Sequence, residues 1–156
     1  MIAIASDHGG LSLKKAIMQY LKTKNIEYSD LGTYTEESCD YPDYAAKVCR
    51  SVIGEESEKG ILVCGTGIGM SLAANKFKGI RAAVCGDCFS AKYTRMHNDA
   101  NILCLGERVT GEGLALEIVE LFLNTDFEGG RHARRLAKLT EIENGSFLYM
   151  GQKVKK

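Results

Sequence analysis

Residues 60–71 read GILVCGTGIGMS, an apolar run that ends at Cys64 and is followed by glycine at every second position up to Gly69. A buried strand, a glycine-rich turn and then an alanine-containing helical segment are typical of a βα unit. Because a helix begins near the end of the loop, its free N–H groups would point towards whatever lies beside Cys64. The stretch therefore predicts an α/β fold with a site for negative charge, either a phosphate or an enolate oxygen.

The same alternation continues along the chain on both sides of this stretch. Short apolar runs predict buried strands, and amphipathic segments predict the helices between them. The predicted strands are 2–6, 26–31, 61–64, 80–85 and 102–105, and the predicted helices cover about 13–22, 44–53, 70–77, 89–97, 114–123 and 128–144. Strands that alternate with helices favour right-handed βαβ units, and hence an α/β sandwich around a mainly parallel sheet.

Composition excludes several classes of protein. The 156 residues contain 20 Lys plus Arg and 20 Asp plus Glu, so there is no overall field to attract nucleic acid or a membrane surface. No signal-peptide pattern and no run of about 18 apolar residues is present, which favours a cytoplasmic protein. The six cysteines, several of them inside apolar runs, are expected to be reduced thiols and not a disulfide framework.

Chemically capable side chains follow the predicted strands directly. In an open parallel sheet, ligands bind at the carboxyl ends of the strands, where Asp7, His8, Cys64 and Arg108 would meet. The N-terminus of the following helix would favour a Cys64 thiolate, which could act as a general base or as a nucleophile. An inert core cysteine is the simpler explanation of a thiol at the end of an apolar run, but the glycine loop favours a reactive one.

Two familiar motifs are present only in part. GTGIGM begins like the dinucleotide fingerprint but has Met70 at the third glycine position, which disfavours a nucleotide-binding module. CGDC at 85–88 lacks a second cysteine pair, so ordinary free thiols are favoured over a zinc or redox site. A Cys–His hydrolase is a third alternative, and it would need His8 or His97 within hydrogen-bond reach of Cys64.

Five segments, taken in order over about residues 1–144, together resemble type B ribose-5-phosphate isomerases, whose family also contains galactose-6-phosphate isomerase subunits. They are SDHGG, DYPDYA, GILVCGTGIGMSLAANKFKGIRAAVC, HNDANILCLGERV and EGGRHARR. The resemblance implies a Rossmann-like three-layer αβα sandwich with a five-stranded parallel sheet. It also implies a homodimer or tetramer with shared active sites. The implied reaction is the interconversion of ribose 5-phosphate and ribulose 5-phosphate, in the pentose phosphate pathway, without metal or cofactor.

The resemblance also implies roles for individual residues. Cys64 corresponds to the general base of the family's cysteine-bearing branch, and the segment GMSLAAN lacks the glutamate that other members use. Ring opening is implied for Thr66 and His97. The implied substrate contacts are the enediolate-binding loop of Gly65, Gly67, Ile68 and Gly69, the sugar contacts Asp7, Tyr41 and Asn98, and the phosphate clamp of His8, Arg108, Arg131 and Arg135. The arginines and His97 are expected from the partner subunit.

The expected organisation is one sugar-phosphate isomerase domain over residues 1–145 and a C-terminal tail over 146–156 without a clear period. The sugar itself stays open, because hexose 6-phosphates such as those of allose and galactose present the same phosphate and the same reacting carbons. A self-sufficient ribose enzyme is favoured, since the galactose enzymes of the family pair two different subunits.

Overall fold

The computed structural model describes residues 1–149 and 152–153. The strands are β1 (Ile2–Ser6), β2 (Tyr28–Asp30), β3 (Lys59–Cys64), β4 (Ala82–Val84), β5 (Ile102–Gly106), β6 (Leu148–Tyr149) and β7 (Gln152–Lys153). The helices are α1 (Leu11–Thr23), α2 (Tyr41–Ile53), α3 (Ile68–Ala74), α4 (Cys88–Asn98), α5 (Glu112–Asn124) and α6 (Arg131–Glu143), and a 3-10 turn at His8–Gly10 precedes α1.

The first five strands form one parallel sheet in the order β2-β1-β3-β5-β4. The chain leaves β1 towards one edge and later crosses back to β3, so β1 and β3 lie side by side while their following helices cover opposite faces. A crevice opens at such a switch point, beyond the carboxyl ends of the strands. The predicted three-layer sandwich with a five-stranded parallel sheet is confirmed.

Side chains of the central strands alternate between two separate cores. Ile61 and Val63 of β3 pack into the core beneath α1, α4 and α5, whereas Leu62 and Cys64 pack into the core beneath α2 and α3. The catalytic candidate Cys64 therefore ends its strand on the α2–α3 side.

Several predicted boundaries differ from the structure for identifiable reasons. The strand predicted at 80–85 is reduced to β4, an edge strand paired only with β5, because Ile80 closes a turn through its N–H bond to Phe77 O. The last helix begins at Arg131 and not at 128, since Gly129 and Gly130 have φ of +67° and +53°. In the predicted tail of 146–156, β6 and β7 pair antiparallel, and residues 150, 151 and 154–156 lie outside the described residues.

A buried lysine holds the segment that follows β2. Lys14 of α1 is 1% exposed, and its Nζ contacts Asp30 Oδ1 at 2.6 Å and donates to the backbone oxygen of Thr33 at 2.7 Å. The same segment is joined to β1 by the N–H of Thr33, which donates to Ser6 O. Together these bonds fix the base of the loop at 31–40, which leads into α2.

Among the described residues, no helix is both long and apolar enough to cross a membrane.

Candidate active site

Three strand ends meet at the crevice and are joined by backbone hydrogen bonds. The N–H of Asp7 donates to Val63 O at 3.2 Å, and the N–H of Glu107 donates to Cys64 O at 2.9 Å. The N–H of Arg108 then donates to Gly65 O at 3.0 Å. The segments after β1, β3 and β5 are therefore fixed relative to one another before any substrate arrives.

Close backbone approach at this edge depends on Gly106. A Cβ added there would lie 2.6 Å from the carbonyl carbon of Thr66, which is closer than real Cβ atoms come to backbone. Only glycine lets the end of β5 lie against the loop at 65–69 in this way. The position of the loop is thus a property of two strands and not of the loop alone.

Gly106→Ala is expected to displace the loop and to lower the free energy of unfolding by about 1–3 kcal/mol. It should also lower kcat of the isomerisation that the family resemblance implies by about a hundredfold. Gly86→Ala is the matched control, because an added Cβ there meets nothing within 4 Å. Urea unfolding and steady-state kinetics of both variants check the prediction. Equal behaviour of the two variants would contradict it.

The sulfur of Cys64 receives a backbone hydrogen bond from the loop that follows it. The N–H of Gly67 donates to Cys64 Sγ at 3.1 Å, and the thiol is 5% exposed. Gly67 adopts φ +78°, a left-handed conformation that favours glycine, and α3 begins at the next residue. One residue earlier, Thr66 Oγ1 accepts from the N–H of Ile68 at 3.3 Å. An N–H aimed at sulfur is the contact that stabilises a thiolate.

Two further thiols, those of Cys49 and Cys104, are buried in the same core. Burial raises the pKa of Cys49 to about 11 and that of Cys104 well above its usual value. Cys49 Sγ lies 3.9 Å from Ala74 O, to which it donates. Of these three cysteines, Cys64 is the one whose sulfur lies at the carboxyl end of a strand and accepts the N–H of Gly67.

Arg108 and Asp7 lie beside the loop in the same chain. A Cβ on Gly65 would be 3.5 Å from Arg108 Nε, and a Cβ on Gly9 would be 3.5 Å from Arg108 Nη2 and 3.4 Å from Asp7 Oδ1. The N–H of Gly9 donates to that Asp7 oxygen at 2.8 Å. Burial raises the pKa of Asp7, although this N–H and the charges of His8 and Arg108 oppose the rise. The structure thus places the guanidinium of Arg108 beside the loop of its own chain, whereas the resemblance implied that the arginines come from the partner subunit.

Tyr41 and His8 border the same crevice. The Tyr41 ring lies 3.1 Å from the point where Gly69 would carry a Cβ, so the two residues are in contact across the loop. The ring of His8 is held by the N–H of Cys39, which donates to Nδ1 at 3.2 Å. The Cys64 group comprises Asp7, His8, Tyr41, Cys64, Gly65, Thr66, Gly67, Ile68, Gly69 and Arg108.

The remaining predicted residues lie elsewhere on the chain. A cavity of about 600 Å³ between β4, α4 and α6 is lined by His97, Asn98 and Arg135, and neither Cys64 nor the loop at 65–69 lines it. Arg131 is linked to this cavity through His132, whose Nε2 accepts from Arg131 Nε at 3.3 Å. Within one chain, the predicted site residues thus lie in two separate places. One is the Cys64 group, and the other is the His97 group, which comprises His97, Asn98, Arg131 and Arg135.

Around His97, two further residues form a compact cluster. Glu128 Oε2 lies 3.7 Å from His97 Nε2 and 3.6 Å from His132 Nε2, and the two imidazole rings stack with centroids 4.0 Å apart. Burial, His97 and Arg131 lower the pKa of His132, which keeps that ring neutral. The cluster therefore holds His97 between a carboxylate and a neutral imidazole.

The cluster of His97, Glu128 and His132 is the group of described residues with ligand atoms close enough together for a metal ion. Its rings are only 6° from parallel, so their in-plane lone pairs do not converge on one point. The lone pair of His132 Nε2 is moreover occupied by the guanidinium of Arg131. The geometry suits the orientation of His97 better than the binding of a cation.

Three residues of the site region were not predicted as functional: Cys39, Glu128 and His132. Glu128 and His132 belong to the segment EGGRHARR, which drew attention to its arginines alone. Cys39 directly precedes DYPDYA, but it acts through its backbone N–H, which no side-chain pattern reveals.

Comparisons with known proteins agree over nearly the whole chain. A family model described as Ribose/Galactose Isomerase matches residues 2–139. Ribose-5-phosphate isomerase B of Escherichia coli (strain K12) is 49% identical over 142 residues, which cover 91% of this chain and 95% of that protein.

Solved structures give the same result. Ribose-5-phosphate isomerase B of Clostridium thermocellum superposes with a TM-score of 0.91 at 54% identity, covering 92% of this chain and 97% of that one. The Mycoplasma genitalium enzyme, solved with bound ribulose-5-phosphate, has a TM-score of 0.87 at 46% identity and covers 92% of this chain and 95% of that one. The matched region contains both residue groups.

Proposed function

The chain belongs to the ribose/galactose isomerase family, and we propose from this premise that it interconverts ribose 5-phosphate and ribulose 5-phosphate through an enediolate, with Cys64 as general base. The observation that carries the base assignment is the hydrogen bond of 3.1 Å from the N–H of Gly67 to Cys64 Sγ. A thiolate stabilised in this way, at the switch point of the sheet, is placed to exchange a proton with a bound sugar.

The reaction requires three steps from these residues. The sugar ring opens with help from Thr66 and His97, which move protons between the ring oxygen and the anomeric hydroxyl. Cys64 then removes the proton from C2, the hydroxyl proton on O2 moves to O1 within the enediolate, and Cys64 returns its proton to C1, so that one base serves both halves of the isomerisation. Loop N–H groups between Gly65 and Gly69, other than those of Gly67 and Ile68, which donate to Cys64 Sγ and Thr66 Oγ1, stabilise the enediolate oxygen. Such an interaction is worth about 3–4 kcal/mol per donor in other enzymes.

Substrate binding uses both ends of the sugar phosphate. Asp7, Tyr41 and Asn98 contact the sugar hydroxyls. His8 and Arg108 of one subunit, with Arg131 and Arg135, hold the phosphate, because guanidinium groups bind phosphate through paired hydrogen bonds. Fixing the phosphate keeps C2 beside the sulfur of Cys64.

The separation of the two residue groups supports a shared site in a homodimer. In one chain, His97 and Arg135 line a cavity that Cys64 does not reach. A second copy related by twofold symmetry would bring its His97 group to the first copy's Cys64 group, and the reverse, and so complete two sites. A tetramer could contain the same pair of chains twice.

Hybrid dimers test this arrangement directly. Cys64→Ala and His97→Asn are each expected to lose most turnover of ribose 5-phosphate, yet co-expressed chains should recover about one quarter of wild-type activity, since half of the dimers are hybrids with one intact site. Differently tagged chains allow the hybrid to be purified and assayed alone. An inactive hybrid would place both residues in the same chain's site.

The identity of the sugar is tested by assaying the purified chain with several aldose phosphates. We expect the highest kcat/KM with ribose 5-phosphate, and a preference for allose 6-phosphate or galactose 6-phosphate would assign a hexose isomerase instead. A Cys–His hydrolase is disfavoured, because among the described residues Cys64 Sγ has its hydrogen bond with Gly67 and not with a histidine. Titration with NAD and ATP tests the nucleotide-binding alternative.

We also propose that the enzyme acts in the cytoplasm, in the non-oxidative pentose phosphate pathway. All six cysteines are free, as is usual in a reducing compartment. Its substrates carry a charged phosphate, which disfavours passage through a bilayer.

A further inference from the structure

His8 receives a hydrogen bond whose direction fixes the chemistry of its ring. The backbone N–H of Cys39 lies 3.2 Å from His8 Nδ1, and a backbone N–H can only donate. Nδ1 must therefore accept, which leaves it without a proton. In a neutral imidazole the proton then resides on Nε2, at the opposite side of the ring.

We propose that the amide of Cys39 is a positioning group, which holds His8 as the Nε2–H tautomer so that this N–H is donated to the phosphate of the substrate. The inference rests on the proposed function for the identity of the acceptor. It assigns the loop at 31–40, and not only the segment after β1, to substrate recognition. In the alternative tautomer, Nε2 would turn a lone pair towards the phosphate oxygens and repel them.

The loop that carries Cys39 is anchored at both ends, which keeps the amide of Cys39 in place against His8. At the start of the loop that carries Cys39, Lys14 Nζ donates to Thr33 O, and the N–H of Thr33 donates to Ser6 O. Ser6 is the last residue of β1, two residues before His8. The other end of the loop leads directly into α2, whose first residue is Tyr41. The amide of Cys39 is thus carried between two anchored points, and the thiol, 3.9 Å from the same nitrogen, is not needed for the effect.

The tautomer can be measured without substrate. Nitrogen-15 NMR distinguishes a protonated from an unprotonated ring nitrogen, and the chain has only three histidines, so a His8→Gln variant assigns the signals. We expect His8 to show a protonated Nε2 and an unprotonated Nδ1 at neutral pH. A protonated Nδ1 in the wild-type chain would overturn the inference.

Kinetics test the consequence of that tautomer. Cys39→Pro removes the N–H, and we expect KM for ribose 5-phosphate to rise about tenfold with kcat within threefold, since one hydrogen bond to the phosphate is weakened. Ser38→Pro introduces proline at an exposed neighbouring position and keeps the amide of Cys39, so KM should stay within twofold. Cys39→Ala keeps the amide and should retain the Nε2–H tautomer.

The outcomes separate the two proposals. If the wild-type chain turns over ribose 5-phosphate but Cys39→Pro and Ser38→Pro raise KM equally, or if Cys39→Ala changes the tautomer, the positioning role is wrong and the isomerase stands. If the wild-type chain has no isomerase activity, the proposed function fails and the role of His8 fails with it. Should Cys39→Pro not fold, the NMR measurement on the wild-type and Cys39→Ala chains decides the question.

Discussion

Cys64→Ala is expected to lower kcat for ribose 5-phosphate by about a thousandfold, since a positioned general base contributes about 10²–10⁴ to a proton transfer. The variant should still bind the sugar phosphate, because the groups proposed to hold the phosphate belong to other residues. Solvent exchange of the C2 proton, followed by NMR, should be lost together with turnover. Binding is measured by calorimetric titration with ribose 5-phosphate.

Cys49→Ala provides the matched control, as it removes a buried thiol from the same core but on α2. That variant should keep wild-type turnover and lose only stability. Cys64→Ala with turnover near wild type would contradict the base assignment. Loss of binding together with turnover would instead indicate that Cys64 shapes the pocket and does not act as its base.

Lys14→Ala is expected to lower the free energy of unfolding by about 3 kcal/mol or more, since removal of one partner leaves the other charge of a buried pair uncompensated. The side chain of Lys14 is 2% exposed, whereas that of Asp30 is 20% exposed and keeps some contact with water. The carbonyl of Thr33 also loses its lysine donor. This solvation of Asp30 places the expected loss near the lower end of the range for buried pairs.

Lys15→Ala removes the neighbouring, exposed lysine of the same helix and should change the free energy of unfolding by no more than about 0.5 kcal/mol. Urea denaturation at one fixed protein concentration compares the two, because association contributes to apparent stability. An equal, small effect of both substitutions would show that the pair between Lys14 and Asp30 contributes little. The loop at 31–40 should also become more sensitive to protease in Lys14→Ala.

The sequence predicted the fold well where burial governs the pattern. β1 and the core of β3 are continuous apolar runs because both faces of a central parallel strand are covered, and such runs are easy to recognise. The prediction makes β4 too long at its start, since the apolar residue Ile80 closes a turn with Phe77, whereas the N–H of Cys85 still donates to Cys104 O of β5. Apolar character reports burial, and it does not distinguish a ladder residue from its neighbours.

The position of the site at the strand ends could be predicted from the sequence. The division of its residues between the Cys64 group and the His97 group could not. Cys64 ends a strand, and Asp7 and Arg108 follow strands, so topology alone brings them together. His97 lies in the last turn of a helix, and its surroundings depend on how α4 packs against the segment at 128–132, which no local pattern encodes. Contacts made by backbone amides, such as that of Cys39 with His8, leave no trace in side-chain composition.

Because the side chains of β3 alternate between the two cores, the core that Cys64 faces depends on whether the number of residues between Gly60 and Cys64 is odd or even. Insertion or deletion of one residue in that strand would turn the sulfur of Cys64 towards the α1–α5 side, away from the N–H of Gly67. Insertion or deletion of two residues at once would restore the side but change the length of the strand. Over evolutionary time, length changes in β3 should thus survive only in pairs, or where a bulge absorbs the extra residue.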